Sequence, residues 1–94
     1  MPERIKLTEK VLRDATPMPG RDYQIFDSEL RGFAVCIYRS GGRAFTLDYR
    51  HAGRQRRMTF GRWPEWSVAA ARERAKELRR AIDAGADPLA ERAA

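Results

Sequence analysis

The chain has 94 residues, a net charge of +6, one cysteine and 43% hydrophobic residues. This composition excludes a disulfide-stabilised secreted scaffold, because one thiol cannot form an intrachain bridge, and a disordered chain, because too many residues are apolar. No apolar run approaches the length that spans a bilayer. We therefore expect one globular domain over residues 1–94, located in the cytoplasm and without a membrane partner.

The net charge is concentrated in residues 32–64. This segment holds seven arginines and a single acid, Asp48, whereas the residues before and after it carry equal numbers of acidic and basic side chains. The same segment has the alternation of β-strands, so the charge belongs to a folded surface. Such a surface favours a polyanionic partner, in particular nucleic acid.

The amino-terminal part predicts a short helix followed by a loop. Thr8 is a favourable N-cap, and Leu7 and Leu12 have the spacing of a hydrophobic staple. Pro17 limits the helix to about two turns. Residues 22–27 are a candidate short edge strand.

Three runs between residues 33 and 60 alternate as antiparallel strands do. They are separated by two turn signals, Ser40-Gly41-Gly42 and Ala52-Gly53. One side of each run is apolar, and that side carries Phe33, Val35, Ile37, Phe45, Leu47, Tyr49, Met58 and Phe60. These runs predict a three-stranded β-meander with one buried face.

The last element is an amphipathic helix that would cover this face. Ser67 is its expected N-cap, and an apolar stripe recurs at Ala71, Ala75, Leu78 and Ile82. Gly85 is the expected residue after the helix, and Pro88 is expected to stop it. The predicted fold is therefore α+β: a three-stranded antiparallel meander, with residues 22–27 as a candidate fourth edge strand, packed on one C-terminal helix and preceded by a short N-terminal helix.

The second face of this sheet is the candidate site, and alternation decides which side chains it carries. A sheet can enter the major groove of DNA, where Arg, Gln and Thr find partners on base edges. For base contacts we expect Arg50, Gln55, Arg57 and Thr59, supported by Tyr38 and Thr46. For phosphate contacts we expect Arg39, Arg43, Arg54 and Arg62. Arg56 shares the phase of Met58 and is expected to matter less.

The arginine-rich patch is also compatible with roles besides DNA binding. Arginine on an exposed strand prevents edge-to-edge aggregation, and charge alone does not distinguish DNA from double-stranded RNA or an acidic protein. The enzyme hypothesis has little support. The only histidine, His51, lies in a turn, and Cys36 lies in an apolar strand with no adjacent base. We predict no catalytic residues, no metal site and no cofactor.

Eight segments in this order resemble a known family, the amino-terminal arm-binding domain of tyrosine-recombinase integrases from prophages and genomic islands. The segments are Leu7-Thr8-Glu9-Lys10-Val11, Asp27-Ser28-Glu29-Leu30-Arg31-Gly32-Phe33, Ser40-Gly41-Gly42-Arg43-Ala44-Phe45, Tyr49-Arg50, Gly53-Arg54-Gln55-Arg56-Arg57, Gly61-Arg62-Trp63-Pro64, Ser67-Val68-Ala69-Ala70-Ala71-Arg72 and Gly85-Ala86-Asp87-Pro88. The similarity covers nearly the whole chain.

The resemblance implies a sheet that lies in the major groove of arm-type attachment sites and tethers a bacterial recombinase during DNA integration and excision. It also implies that strand exchange belongs to a separate catalytic domain, so this chain would be the amino-terminal fragment of a longer integrase. Other integrase protomers or accessory factors are implied as further partners. Cys36 and Asp48 depart from what a polyanion site favours. Asp48 would either orient a neighbouring arginine or accept from a cytosine amine.

Overall fold

The computed structural model of the protein describes residues 4–93, and their side chains as far as Glu91. The described residues form five strands and three helices. In chain order these are β1 (Arg4–Ile5), α1 (Glu9–Asp14), β2 (Tyr23–Asp27), β3 (Phe33–Ile37), β4 (Arg43–His51), β5 (Arg54–Trp63), α2 (Val68–Asp83) and α3 (Pro88–Ala93).

The sheet is larger than the predicted meander. Its strands follow the order β1-β2-β3-β4-β5, with β1 parallel to β2 and every other pair antiparallel. The predicted three strands are present as β3 to β5. The candidate fourth strand is present as β2, but it does not lie at the edge, because β1 pairs with its other side. The three-strand count is wrong because β2 and β1 extend the sheet. The two residues of β1 are too few to show any alternation, so no sequence pattern marked them.

The predicted ends of α1 and α2 are confirmed by their caps. The Thr8 side chain accepts a hydrogen bond from Val11 N at 3.2 Å, and the Ser67 side chain accepts one from Ala70 N at 3.1 Å. Gly85 follows α2 with a φ of +103°, the left-handed conformation that ends helices and favours glycine.

The third helix corrects the prediction that Pro88 only stops α2. Pro88 is the first residue of α3, a position where the missing amide hydrogen costs nothing. The carboxylate of Asp87 accepts a hydrogen bond from Ala90 N and thereby caps the new helix. Tyr49 donates to the same carboxylate at 2.5 Å, which joins α3 to β4.

The core lies between one face of the sheet and the helices. The Phe33 and Phe45 rings stack with their centroids 6.0 Å apart, and Phe60 lies 6.4 Å from Phe45. The buried side of α2, which includes Ala71 and Leu78, packs on this cluster together with residues of α1 and α3. All three helices therefore occupy the same side of the sheet, which we call the inner face.

A buried ion pair joins the amino-terminal strands to α2. Asp27 is fully buried and accepts from Arg72 Nη2 at 2.7 Å and from Leu7 N at 2.9 Å. Its second oxygen accepts from the amides of Glu29 and Leu30. Burial alone would raise the pKa of Asp27, but the hydrogen bonds from Leu7 and Arg72 outweigh it and hold the pKa below its usual value.

Candidate nucleic-acid interface

The side of the sheet opposite the helices, which we call the outer face, carries no packed helix in the part of the chain that the structure describes. On β3, β4 and β5 its side chains are Ala34, Cys36, Ala44, Thr46, Asp48, Arg50, Gln55, Arg57, Thr59 and Arg62. The floor of this face is made of small residues. Ala34, Ala44 and Thr46 are only 0%, 2% and 1% exposed, so the longer side chains form its contact surface.

A β-bulge brings Arg62 onto the outer face. The pairing of β4 with β5 shifts by one residue between Phe45 and Thr46, so that Phe60 is the extra residue of β5. After the bulge Gly61 pairs with Phe45 on the inner face, and Arg62 pairs with Ala44 on the outer face. Sequence alternation alone placed Arg62 only at the margin of the sheet.

Gly61, the residue that follows the bulge, is closely packed. A Cβ atom at this position would lie 2.9 Å from Cγ of Trp66, closer than real side chains approach. The Trp66 ring in turn meets Phe60 edge to face, with centroids 6.1 Å apart. Glycine at position 61 therefore lets the Trp66 ring close over the edge of the core.

Arg57 is held in place at the centre of the outer face. Its Nε donates to Asp48 Oδ1 at 2.9 Å and its Nη2 donates to Asp48 Oδ2 at 3.3 Å. The hydrogen bonds to this carboxylate raise the pKa of Arg57, so the guanidinium stays charged. Two roles were considered for Asp48, and the structure shows the first of them: its carboxylate orients the neighbouring Arg57.

Two further arginines lie at opposite ends of the outer face, and Arg54 lies beside it at the turn, where it pairs with His51 in the inner-face phase of Arg56. Arg50 and Arg54 lie near the β4–β5 turn, and Arg62 lies near the β3–β4 turn. All three are exposed, and none of their side chains forms a hydrogen bond or ion pair with another described residue. Gln55, which pairs with Arg50, is exposed between them. These side chains are available to a partner.

A shallow depression of about 330 Å³ lies on the outer face between β2 and β5. Tyr38 and Thr59, two of the predicted contact residues, line it together with Arg57. Burial, followed by the field of Asp22, raises the pKa of the Cys36 thiol in the same depression. Cys36 therefore stays protonated there, as expected for a structural thiol.

Thr46 does not reach the surface, in contrast to its predicted supporting role. Its hydroxyl accepts a hydrogen bond from Gln24 Nε2 at 3.0 Å, and its side chain is covered. Alternation placed Thr46 on the correct face, but alternation does not report depth. Gln24 on β2 covers it, so Gln24 takes its place on the outer face.

Arg43 lies on the inner side of the sheet and is engaged there. Its Nε donates to Leu12 O at 2.5 Å, its Nη1 to Gly41 O at 2.6 Å, and its Nη2 to Ala15 O. The guanidinium also lies 5.9 Å from the ring centroid of Trp63. These contacts fasten the end of α1 to the sheet, so the predicted phosphate contact would require breaking them.

The two remaining arginines of the charged segment have acidic partners. Arg39 is exposed and lies 3.4 Å from Asp22, which also accepts from Arg39 N. Arg56 lies on the inner face, 3.4 Å from Asp87. Arg39 therefore remains at the rim of the outer face, whereas Arg56 belongs to the docking of α3.

Sequence reasoning missed the contribution of the first two strands to the outer face. Gln24 and Phe26 lie there opposite Cys36 and Ala34, and Arg4 covers the Phe26 ring with its guanidinium 5.8 Å from the centroid. The alternation of Tyr23 and Ile25 contained the signal for Gln24. Arg4 had no such signal, because its strand is two residues long.

The fold and this surface define a small α+β domain with a helix-backed sheet whose uncovered face is rich in arginine. Residues 7–94 match the model of a family described as the arm DNA-binding domain. Since that match extends over most of the sequence, the chain belongs to the arm DNA-binding domain family. This confirms the resemblance on which the sequence-based expectation rested.

Two curated proteins of Escherichia coli strain K12 are similar to the chain. Prophage integrase IntF is 32% identical over 80 residues, which cover 85% of this chain and 17% of IntF. Putative protein IntB is 35% identical over 54 residues, which cover 57% of this chain and 14% of IntB. The matched segment thus covers less than a fifth of the length of either relative. No helix among residues 4–93 is long and apolar enough to cross a membrane.

Proposed function

We propose that the outer face binds double-stranded DNA sequence-specifically by entering the major groove at arm-type sites. The observation that carries this proposal is the distribution of arginines over the uncovered face and at the turn beside it. Arg50, Arg54 and Arg62 are unpaired among the described residues and lie towards opposite ends of β4 and β5. The nine residues of β4 extend over about 27 Å, close to the rise of eight base pairs.

The middle of this surface is suited to reading bases. The major groove is about 12 Å wide and admits two strands, and a guanine edge there accepts two hydrogen bonds from one guanidinium. Asp48 holds Arg57 through Nε and Nη2, which leaves Nη1 and the second hydrogen of Nη2 for such a contact. The ion pair fixes the direction of the guanidinium before DNA arrives, which reduces the ordering cost of binding.

The roles of the remaining side chains follow from their positions. Arg50, Gln55 and Thr59, together with Tyr38, extend the base-contact surface on either side of Arg57. The residues at its ends would contact phosphates, and these are Arg39, Arg54 and Arg62. Thr46 and Arg43 are left out, because the first is buried and the second is bonded to backbone carbonyls.

In vitro selection from a random duplex pool with the 94-residue chain tests this assignment. We expect one enriched sequence, and we expect Arg57→Ala to reduce the preference for it over a scrambled duplex by about 5- to 150-fold, the worth of one bidentate base contact. The matched control is Arg54→Ala, which removes the same charge at the turn and should weaken binding to both duplexes equally.

Three results would contradict sequence readout by the outer face. They are the enrichment of no sequence, an equal loss for both duplexes with Arg57→Ala, and an RNA duplex of the selected sequence that competes as well as DNA. Each can be measured by fluorescence anisotropy at one fixed salt concentration.

The biological process is part of the same proposal. IntF is named a prophage integrase, and the chain corresponds to a small part of it. We infer that the chain tethers a longer bacterial tyrosine integrase to arm-type sites, in the cytoplasm, during DNA integration and excision. Strand cleavage would be carried out by a separate catalytic domain, and contacts to other protomers or accessory factors would use surfaces away from the outer face.

A further inference from the structure

A second group of arginines lines a cleft at one end of the sheet. The cleft has a volume of about 450 Å³ and lies beside the β4–β5 hairpin. Its arginines are Arg4 from β1, Arg31 from the loop between β2 and β3, Arg50 from β4 and Arg79 from α2. Three of these four come from outside residues 32–64, where charge counting placed the whole basic surface.

The cleft exists because β3 is shorter than its neighbour. Phe33, the first residue of β3, pairs with Leu47, so the end of β4 extends past β3 and pairs only with β5. Gly32 turns the chain away at this point with a φ of +84°. A Cβ atom at Gly32 would lie 2.3 Å from Asp48 O and 2.9 Å from Arg79 Nη2, so glycine keeps the space open for the Arg79 side chain.

The positive charges of the cleft exceed the negative charge of the acidic residues that line it. Asp48 is the acidic residue among the lining side chains, and its carboxylate is already bonded to Arg57. Arg79 Nη2 donates to the backbone oxygen of Asp48 at 3.0 Å, while its Nε is buried without a hydrogen-bond partner among residues 4–93. Asp83 is the acid whose field reaches Arg79.

Arg31 adds to this imbalance. It is exposed and forms no ion pair with another described residue. Burial, and then the nearby guanidinium of Arg31, lower the pKa of Arg79. Two guanidinium groups that line the same cleft, neither of them in an ion pair with a described residue, favour an anion with several acceptor oxygens.

We propose that this cleft binds a backbone phosphate of the DNA strand that borders the major groove. The inference rests on the proposed function, because it places the β4–β5 hairpin in that groove. Two strands lie about 5 Å apart in a groove about 12 Å wide, so a phosphate backbone runs along each side of the hairpin. Among the described residues, one side of the hairpin is the free edge of β5, and the other side, at its projecting end, is the cleft.

The salt dependence of binding to a random-sequence 30-base-pair duplex tests the cleft. We expect Arg31→Ala in the 94-residue chain to reduce the slope of log K against log salt by about 0.9, which corresponds to one phosphate contact. Arg31→Lys should retain most of the wild-type slope. The matched control is Arg80→Ala, which removes an exposed charge of α2 outside the cleft and should leave the slope within experimental error.

The outcomes separate the two proposals. Equal slopes for Arg31→Ala and Arg80→Ala, with a wild type that binds the duplex, would overturn the cleft and leave the outer face as the DNA-binding surface. A wild type that binds no duplex would overturn both.

Because Arg31 is exposed, its substitution should leave the fold intact, and a circular dichroism spectrum checks this. As a second readout, inorganic phosphate should shift the Nε–Hε resonance of Arg79 and not that of Arg80, and the absence of a shift would also contradict the cleft.

Discussion

Replacing Arg43 with alanine should destabilise the fold and leave the DNA affinity of the folded molecules nearly unchanged. The substitution removes three hydrogen bonds to backbone oxygens, those of Leu12, Gly41 and Ala15. Hydrogen bonds to a charged group contribute about 1.5–3 kcal/mol each when well buried. Arg43 is only partly buried and water can replace part of the loss, so we expect the free energy of unfolding to fall by about 2–4 kcal/mol in total.

This loss is large for a domain of this size. A chain of 94 residues is expected to be stable by about 5–14 kcal/mol. Urea titration followed by tryptophan fluorescence measures the change, since Trp63 lies directly beside the removed guanidinium. Arg54→Ala serves as the control with the opposite pattern, because Arg54 is exposed at a turn. It should change the stability by less than about 0.5 kcal/mol and weaken duplex binding.

The result that would refute this reasoning is equally definite. If Arg43→Ala unfolds at the wild-type urea concentration and loses DNA affinity as Arg54→Ala does, then Arg43 contacts phosphate and its bonds to α1 are unimportant.

Three further substitutions probe the fold and the interface. Asp27→Asn should cost about 3–5 kcal/mol in a urea titration at neutral pH, because it leaves the Arg72 charge buried without its partner. Since the pKa of Asp27 is lowered in the folded state, its contribution is fully present above about pH 4 and is lost as the pH falls through the lowered pKa, so the variant should approach wild type in acid. Gly32→Ala should lower the melting temperature, because the added Cβ meets the Asp48 carbonyl at 2.3 Å; an unchanged melting temperature would contradict this. Asp48→Asn should tighten binding to a random duplex and reduce the preference for the selected duplex, because Arg57 loses the partner that orients it. An unchanged preference would show that the ion pair does not orient Arg57.

Local sequence signals predicted the elements that position the interface. Thr8 and Ser67 mark the helix starts because a side-chain oxygen bonds an amide two or three residues later, a rule confined to one turn. Strand alternation likewise identified the buried phenylalanines and the side of the sheet that carries Arg57. These properties depend on neighbours close in sequence, so the sequence was sufficient to find them.

The missed features depend on contacts between distant residues. The bulge at Phe60 arises where Gly61 must accommodate Trp66, and one inserted residue reverses the faces of Arg62 and Trp63. Arg43 donates hydrogen bonds to carbonyl groups at the end of a helix that lies about thirty residues earlier. Counting charges along the sequence does not reveal such a contact. In the same way, Arg79 reaches the sheet end from α2 only because β3 stops short.

Nuclear magnetic resonance mapping on addition of the selected duplex tests most directly whether the outer face binds DNA. The proposal predicts the largest changes at the Nε–Hε groups of Arg50, Arg57 and Arg62 and at the amides of β4 and β5, with small changes on the exposed side of α2. Perturbations confined to residues 71–82 of α2, with the outer-face arginines unaffected, would contradict it.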